Sequence, residues 1–276
     1  MKTLAPEKAT SVLEVVKMIE DADIAKRRVK GLDWKELTEE LNEQGSALLK
    51  NVLTPEQCEA LSTLYPEDDL FRSRVVMARH GFGRGEYKYF NYPLPGIIES
   101  LRTSLYSELA PIANGWNQSM GIPVQYPSEH ADFIRRCHEA GQLRPTPLLL
   151  QYGPGDYNCL HQDLYGEHVF PIQVAFLLSE PQRDFQGGEF VLTEQRPRMQ
   201  SRPEVVPFAA GRCGCFRCSS SAGSRNAGNL SREPSTRRKS TAIRTASHTR
   251  HHFSRCRVGE INDRSIVRDD RTTQAP

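Results

Sequence analysis

Leu148-Leu149-Leu150-Gln151-Tyr152 is a short apolar run closed by Gly153-Pro154-Gly155-Asp156, and Phe170-Pro171-Ile172-Gln173-Val174-Ala175-Phe176-Leu177-Leu178 is a longer one. Runs of this length, bounded by glycine and proline, read as buried strands separated by a turn. Gly187-Gly188 then opens Glu189-Phe190-Val191-Leu192. From Pro147 to Leu192 the chain therefore has the density of strands and turns of an antiparallel β fold.

Upstream the pattern changes to helical spacing. Val12, Leu13, Val15, Val16 and Ile19, then Trp34, Leu37 and Leu41, predict two helices between Thr10 and about Asn42, and a further helix is expected from about Ile97 to Asn117. Between them, Ala47-Leu48-Leu49-Lys50-Asn51-Val52-Leu53 reads as a strand. Thr54-Pro55-Glu56-Gln57 follows it with a capping hydroxyl, a proline at the first helical position and a glutamine at the third, so a helix should run to near Tyr65. Helices first and strands afterwards predict a mainly β chain with N-terminal helices (α+β), a β-sandwich or jelly roll buttressed by those helices.

Arg74 to Tyr92 interleaves cations and rings around Gly81, Gly83 and Gly85: Arg79, His80, Phe82, Arg84, Tyr87, Lys88, Tyr89, Phe90 and Tyr92. One reading stacks the rings on a planar substrate while the cations meet phosphate. The other is a strand and hairpin whose aromatics face the core. The glycines are no dinucleotide fingerprint, because their spacing differs and no βαβ unit surrounds them.

His161-Gln162-Asp163 follows strand and turn. In extended chain, residues two apart project to the same face, so an imidazole and a carboxylate stand side by side for one metal. Two histidines and a carboxylate on one face of Fe(II) leave three positions open, which suits a bidentate 2-oxo acid and dioxygen. The spacing alone is also that of an exposed turn pair.

Its context adds more. Tyr152-Gly153-Pro154-Gly155-Asp156-Tyr157-Asn158-Cys159-Leu160-His161-Gln162-Asp163, with Gly187-Gly188-Glu189-Phe190 after it, resembles the prolyl-hydroxylase-like branch of the iron(II) and 2-oxoglutarate dependent oxygenases. The runs from Arg74 to Phe90 and from Leu192 to Arg202 resemble a bacterial group within that branch, predicted to act oxidatively on damaged, alkylated DNA bases. The resemblance covers roughly residues 32 to 208 and implies a double-stranded β-helix. It implies that His161 and Asp163 are catalytic iron ligands, that Tyr152 lines the 2-oxoglutarate pocket, and that Fe(II), 2-oxoglutarate and dioxygen are needed. For Tyr152 a packed core tyrosine is an equal reading. Arg79, Arg84, Tyr87 and Tyr89 are the candidate substrate contacts. The implied reaction decarboxylates 2-oxoglutarate to succinate and hydroxylates the substrate; on an N-methyl group it would release formaldehyde. A protein side chain or a small molecule would serve as substrate equally well on fold analogy.

The pattern breaks after Pro207. The family carries there a Gly-Asp-Ala-Val-Val-Phe strand, a histidine for the third iron position and an arginine for the far carboxylate of 2-oxoglutarate; this chain reads Gly211-Arg212-Cys213-Gly214-Cys215-Phe216-Arg217-Cys218-Ser219-Ser220-Ser221. Plausible codons from Arg212 onward, read one base later, spell Asp-Ala-Val-Val-Phe-Ala-Val-Arg-His-Arg-Pro-Val. The histidine codon then straddles Ser220 and Ser221. A frameshift near Gly211 is the reading this supports, and it leaves the β-helix incomplete at its C-terminal strands and this chain impaired or inactive.

The formal charge of +2 divides unevenly, about +9 on residues 211–276 and about −7 on the rest. We expect a buttressing region with the first strands over 1–120, a β-helix core with the iron site over 121–210, and a basic, disordered tail over 211–276. Read at face value, Cys213, Cys215, Cys218, His248, His251, His252 and Cys256 in that tail offer a non-catalytic alternative, a zinc and nucleic-acid binding segment. The seven cysteines are odd in number and unevenly placed. With no secretory signal and no membrane-length apolar run, they predict reduced thiols in a cytoplasmic protein.

Overall fold

The structure is a computed structural model, and it describes residues 22–159, 161, 168–194, 202–208, 213–217, 238–240 and 256–261. Helix α1 is described over 22–30, and α2 spans Trp34–Gln44. Asp33 caps α2 by accepting from the backbone N–H of Lys35 and Glu36, and Gly45, at φ 73°, ends it in the left-handed conformation that costs glycine least. Strand β1 (Ser46–Leu49) leads into α3 (Pro55–Thr63). The expected capping box is formed: the Thr54 hydroxyl accepts from the Gln57 N–H at 3.1 Å, and the Gln57 side chain accepts from the Thr54 N–H at 2.9 Å.

Strand β2 (Phe71–Val76), a 3₁₀ turn over Met77–His80, β3 (Gly83–Arg84) and β4 (Glu86–Phe90) make up the aromatic and basic region. Helix α4 (Gly96–Ser119) follows, then α5 (His130–Glu139), which the apolar spacing did not announce. Strands β5 (Leu148–Tyr152), β6 (Tyr157–Asn158), β7 (Ile172–Leu177), β8 (Phe190–Glu194) and β9 (Arg202–Val206) complete the body.

The tail contributes β10 (Cys213–Arg217), β11 (Arg238–Ser240) and β12 (Cys256–Ile261). The seven-stranded sheet runs β1-β10-β7-β12-β5-β4-β2, with all pairs antiparallel, and β11-β8-β9 form a second sheet. Two tail strands thus occupy interior positions of the large sheet, where the sequence led us to expect disordered chain. Ladder hydrogen bonds are made by main-chain groups that every non-proline residue carries, so a segment without apolar alternation can still fill a strand position.

Side-chain alternation explains the layering. Leu149, Val174, Phe176 and Phe90 face the helices and join the main core with Leu101, Leu105, Phe133 and Trp116. Leu148, Leu150, Tyr152, Leu177 and Tyr89 face the other way. Ala175 meets Leu192 and Val206 of the smaller sheet. Strands β5 and β7 are covered on both faces, which is why both read as unbroken apolar runs. Helices packed against one face of antiparallel sheets are therefore observed. Among the described residues no helix is long and apolar enough to cross a membrane.

Candidate metal centre and its approach

Strand β5 delivers Tyr152 to the end of the large sheet and a tight turn takes the chain onward. The Gly153 N–H donates to the Asp156 carboxylate at 2.6 Å, the Asp156 N–H donates to the Gly153 carbonyl at 3.2 Å, and Gly155 adopts φ +75°. The chain then pairs as β6 with β3, Gly83 opposite Asn158 and Arg84 opposite Tyr157. One residue further, the Cys159 N–H donates to the Phe82 carbonyl at 2.8 Å.

His161 follows, exposed, with Nδ1 2.8 Å from the Cys159 carbonyl oxygen. A carbonyl only accepts, so this hydrogen bond requires the proton on Nδ1 and directs the lone pair to Nε2, the tautomer in which an imidazole ligates through Nε2. Asp163 lies outside the described residues, as do Ser220 and Ser221. Among the described residues no trio of His, Cys, Asp or Glu gathers around a metal-sized position.

Tyr152 is buried, packed with Met77, Tyr89, Leu150 and Leu177. Gly85 lies against its ring: at φ +113°, a Cβ on Gly85 would sit 2.7 Å from Tyr152 Cδ1. Gly83 is tighter still. At φ +119° its Cβ would fall 2.2 Å from the Tyr157 carbonyl oxygen. Both glycines hold the hairpin against the segment that carries Tyr152 and His161.

The four candidate substrate contacts separate. Arg79 and Arg84 are exposed on the hairpin tip. Tyr89 is buried with the Arg72 guanidinium 4.4 Å from its ring centroid, and Tyr87 is half-buried, edge-on to Tyr89 at 5.5 Å. Desolvation holds the Arg72 guanidinium below its ordinary range, and the Arg144 charge adds to that. Sequence reasoning named His80 and Phe82 but did not pair them; in the fold their rings stack at 5.3 Å with planes 26° apart, and Phe82 is 40 % exposed. The alternation of the hairpin could have singled them out, because His80 in the 3₁₀ turn and Phe82 just after it both lie outside the β2–β4 ladder.

Toward the tip end of the β2–β4 ladder Arg74 and Glu86 form an ion pair, and the Tyr65 hydroxyl donates to Glu86 at 2.9 Å. The hydrogen bond to Glu86, then its charge, raises the Arg74 guanidinium above its ordinary range. Buried Lys88 donates to the Tyr65 carbonyl at 2.8 Å and to the Asp68 carboxylate at 2.5 Å.

The chain is 49% identical over 122 residues to a Mycobacterium tuberculosis protein, Uncharacterized protein MT2286 of strain CDC 1551 / Oshkosh, and equally to Uncharacterized protein Rv2227 of strain H37Rv; the match covers 44% of this chain and 52% of each relative. The chain thus spans about half the length of the curated relatives it matches. Among solved structures, an oxidoreductase of the 2OG-Fe(II) oxygenase family from Burkholderia pseudomallei is 14% identical with a TM-score of 0.45, covering 85% of this chain and 96% of that one. A Pseudomonas putida prolyl-4-hydroxylase is 12% identical with a TM-score of 0.41, covering 84% and 100%. A family model described as an oxygenase catalysing oxidative methylation of damaged DNA matches residues 85–259, from the hairpin through His161 into the tail. The chain belongs to that oxygenase family.

Proposed function

We propose that this protein is an Fe(II) and 2-oxoglutarate dependent dioxygenase that hydroxylates or oxidatively demethylates damaged DNA bases on a jelly-roll scaffold. The observation that carries the reading is the family match over 85–259, which begins just before strand β4 and spans Tyr152 and His161. The residue set fits in part. The His161 tautomer and exposure suit an Fe(II) ligand. Asp163 would be the second ligand, and Tyr152 would line the co-substrate pocket. Bound Fe(II) with 2-oxoglutarate and dioxygen supplies an oxidant for C–H hydroxylation, and 2-oxoglutarate leaves as succinate and carbon dioxide.

The chain's own residues orient the parts. The Cys159 carbonyl fixes the His161 ring, and the hairpin tip offers the stacked His80 and Phe82 rings to a base and Arg79 and Arg84 to phosphates. Cys58, Cys137 and Cys159, none of them in a disulfide, support a reducing, cytoplasmic setting.

The test is succinate release by the frame-restored chain from a panel of methylated oligonucleotides, methylated peptides and small acids, with iron and 2-oxoglutarate supplied and its His161→Ala variant as control. Release confined to oligonucleotides and lost in His161→Ala supports the reading. Release on peptides alone moves the substrate to protein. A flat response from a frame-restored chain with all cofactors present would sink the enzyme reading.

A further inference from the structure

Two exposed rings sit on one short ribbon. Phe82, 40% exposed, directly precedes β3, and Tyr157, 38% exposed, opens β6, so two of the three exposed Phe and Tyr rings among the described residues belong to the β3–β6 ladder. Single apolar side chains on a surface are ordinary, but clustered ones mark a contact surface. Main-chain contacts hold this pair in place. The Cys159 N–H donates to the Phe82 carbonyl, Arg84 stands opposite Tyr157, and Gly83 packs where a Cβ would meet the Tyr157 carbonyl oxygen. Rings anchored in this way lose little freedom when a partner lands on them.

Charge narrows what that partner is. Residues 77–85 and 157–159 hold Arg79, His80 and Arg84 and no carboxylate. The acids that flank them are engaged: Asp156 accepts from the Gly153 N–H at 2.6 Å, and Glu86 is paired with Arg74. Among the described residues neither Arg79 nor Arg84 forms an ion pair, and the Tyr157 ring meets no other ring and no cation. Rings beside unpaired cations suit a polyanion with flat apolar faces, which is nucleic acid. Each strand of the ribbon is two residues long, about 7 Å, too short to read along a major groove. Stacking needs open base faces, and those belong to single strands.

We propose that the β3–β6 ribbon is a landing platform for single-stranded nucleic acid, with Tyr157 and Phe82 stacking on unpaired bases and Arg79 and Arg84 meeting the phosphates. This rests on the DNA-base reading above and narrows it to unpaired strands. The platform adjoins the candidate metal centre, because the Cys159 carbonyl, two residues after Tyr157, accepts from His161 Nδ1. Bases held on the ribbon are therefore neighbours of the base being oxidised, and Tyr157 sets which strand form is accepted.

Fluorescence anisotropy of the full chain, without iron, tests this with a labelled, unmodified thymidine strand of about twelve nucleotides and with the same strand paired to its complement. Tyr157→Ala should weaken single-strand binding about tenfold and duplex binding less than about twofold, and Tyr157→Phe should keep single-strand binding near the parent value. Arg84→Gln should lower the slope of log affinity against log salt by about 0.7 on the single strand. The basic tail is the same in every variant, so the comparison isolates the ribbon. Failure of the parent to bind the single strand, an equal loss on both forms or no loss in Tyr157→Ala, a matching loss in Tyr157→Phe, or an unchanged salt slope in Arg84→Gln overturns the platform. The oxygenase reading fails on a separate measurement, succinate release, and its failure would leave these affinities unmoved.

Discussion

The backbone N–H of Cys159 donates to the carbonyl of Phe82 at 2.8 Å, and the Cys159 carbonyl in turn accepts from His161 Nδ1 at 2.8 Å. One residue, Cys159, therefore joins the hairpin tip to the candidate iron ligand through its main chain. A displacement of the hairpin is felt at the imidazole without any side chain carrying it.

Gly83→Ala tests that connection. The new Cβ would lie 2.2 Å from the Tyr157 carbonyl oxygen, at a φ that alanine disfavours. The β3–β6 pairing should open, at a cost of about 1–3 kcal/mol in a urea titration. Fe(II) affinity should fall with it, whereas a Gly81→Ala control, whose Cβ would meet nothing within 4 Å, should leave iron binding near the parent value.

Thr54→Ala removes half of the capping box that starts α3. We expect a loss of about 1 kcal/mol in a two-state denaturant midpoint and no change in metal affinity. A loss of iron binding with unchanged stability would contradict the assignment of α3 to scaffold alone.

The Asp68 carboxyl is held below its ordinary range by the hydrogen bond from Lys88, then by that ammonium's charge. A depressed folded value means the pair contributes stability above the unfolded carboxyl value of about 3.9 and loses it as pH falls through the lower folded value. Asp68→Asn should therefore unfold earlier than the parent in urea at pH 7, and the two curves should converge near pH 2. A constant gap across that range would contradict the linkage.

Restoring the frame near Gly211 by a single base tests the reading of the tail. The restored chain should gain iron-dependent succinate release, which the chain as written should lack. It would also place valine at position 214, where a Cβ falls 2.7 Å from the Phe208 ring, so that ring must move. Iron-dependent release at equal rates from both chains would show that the tail sequence already completes the site.

Much of this was legible in the sequence, for reasons local to it. Thr54 and Gln57 announce a helix start because the cap is made within four residues. Strands β5 and β7 announce themselves because burial on both faces leaves no polar alternation. Helix α5 was missed because it buries only His130, Phe133 and Cys137, too few for an apolar stripe. Asp163 could be named from its two-residue spacing to His161, but it lies outside the described residues. Tyr152 packs as a core tyrosine among Met77, Tyr89, Leu150 and Leu177, and its role at the co-substrate pocket stays a proposal.

Strand β12 sits between β5 and β7, yet it is made from residues 256–261, translated about eighty residues after β7. Until that segment leaves the ribosome, two central apolar strands present unpaired edges to any other chain nearby. A nascent chain halted before residue 256 is thus an aggregation hazard, and chaperone demand should rise with anything that delays the last strand.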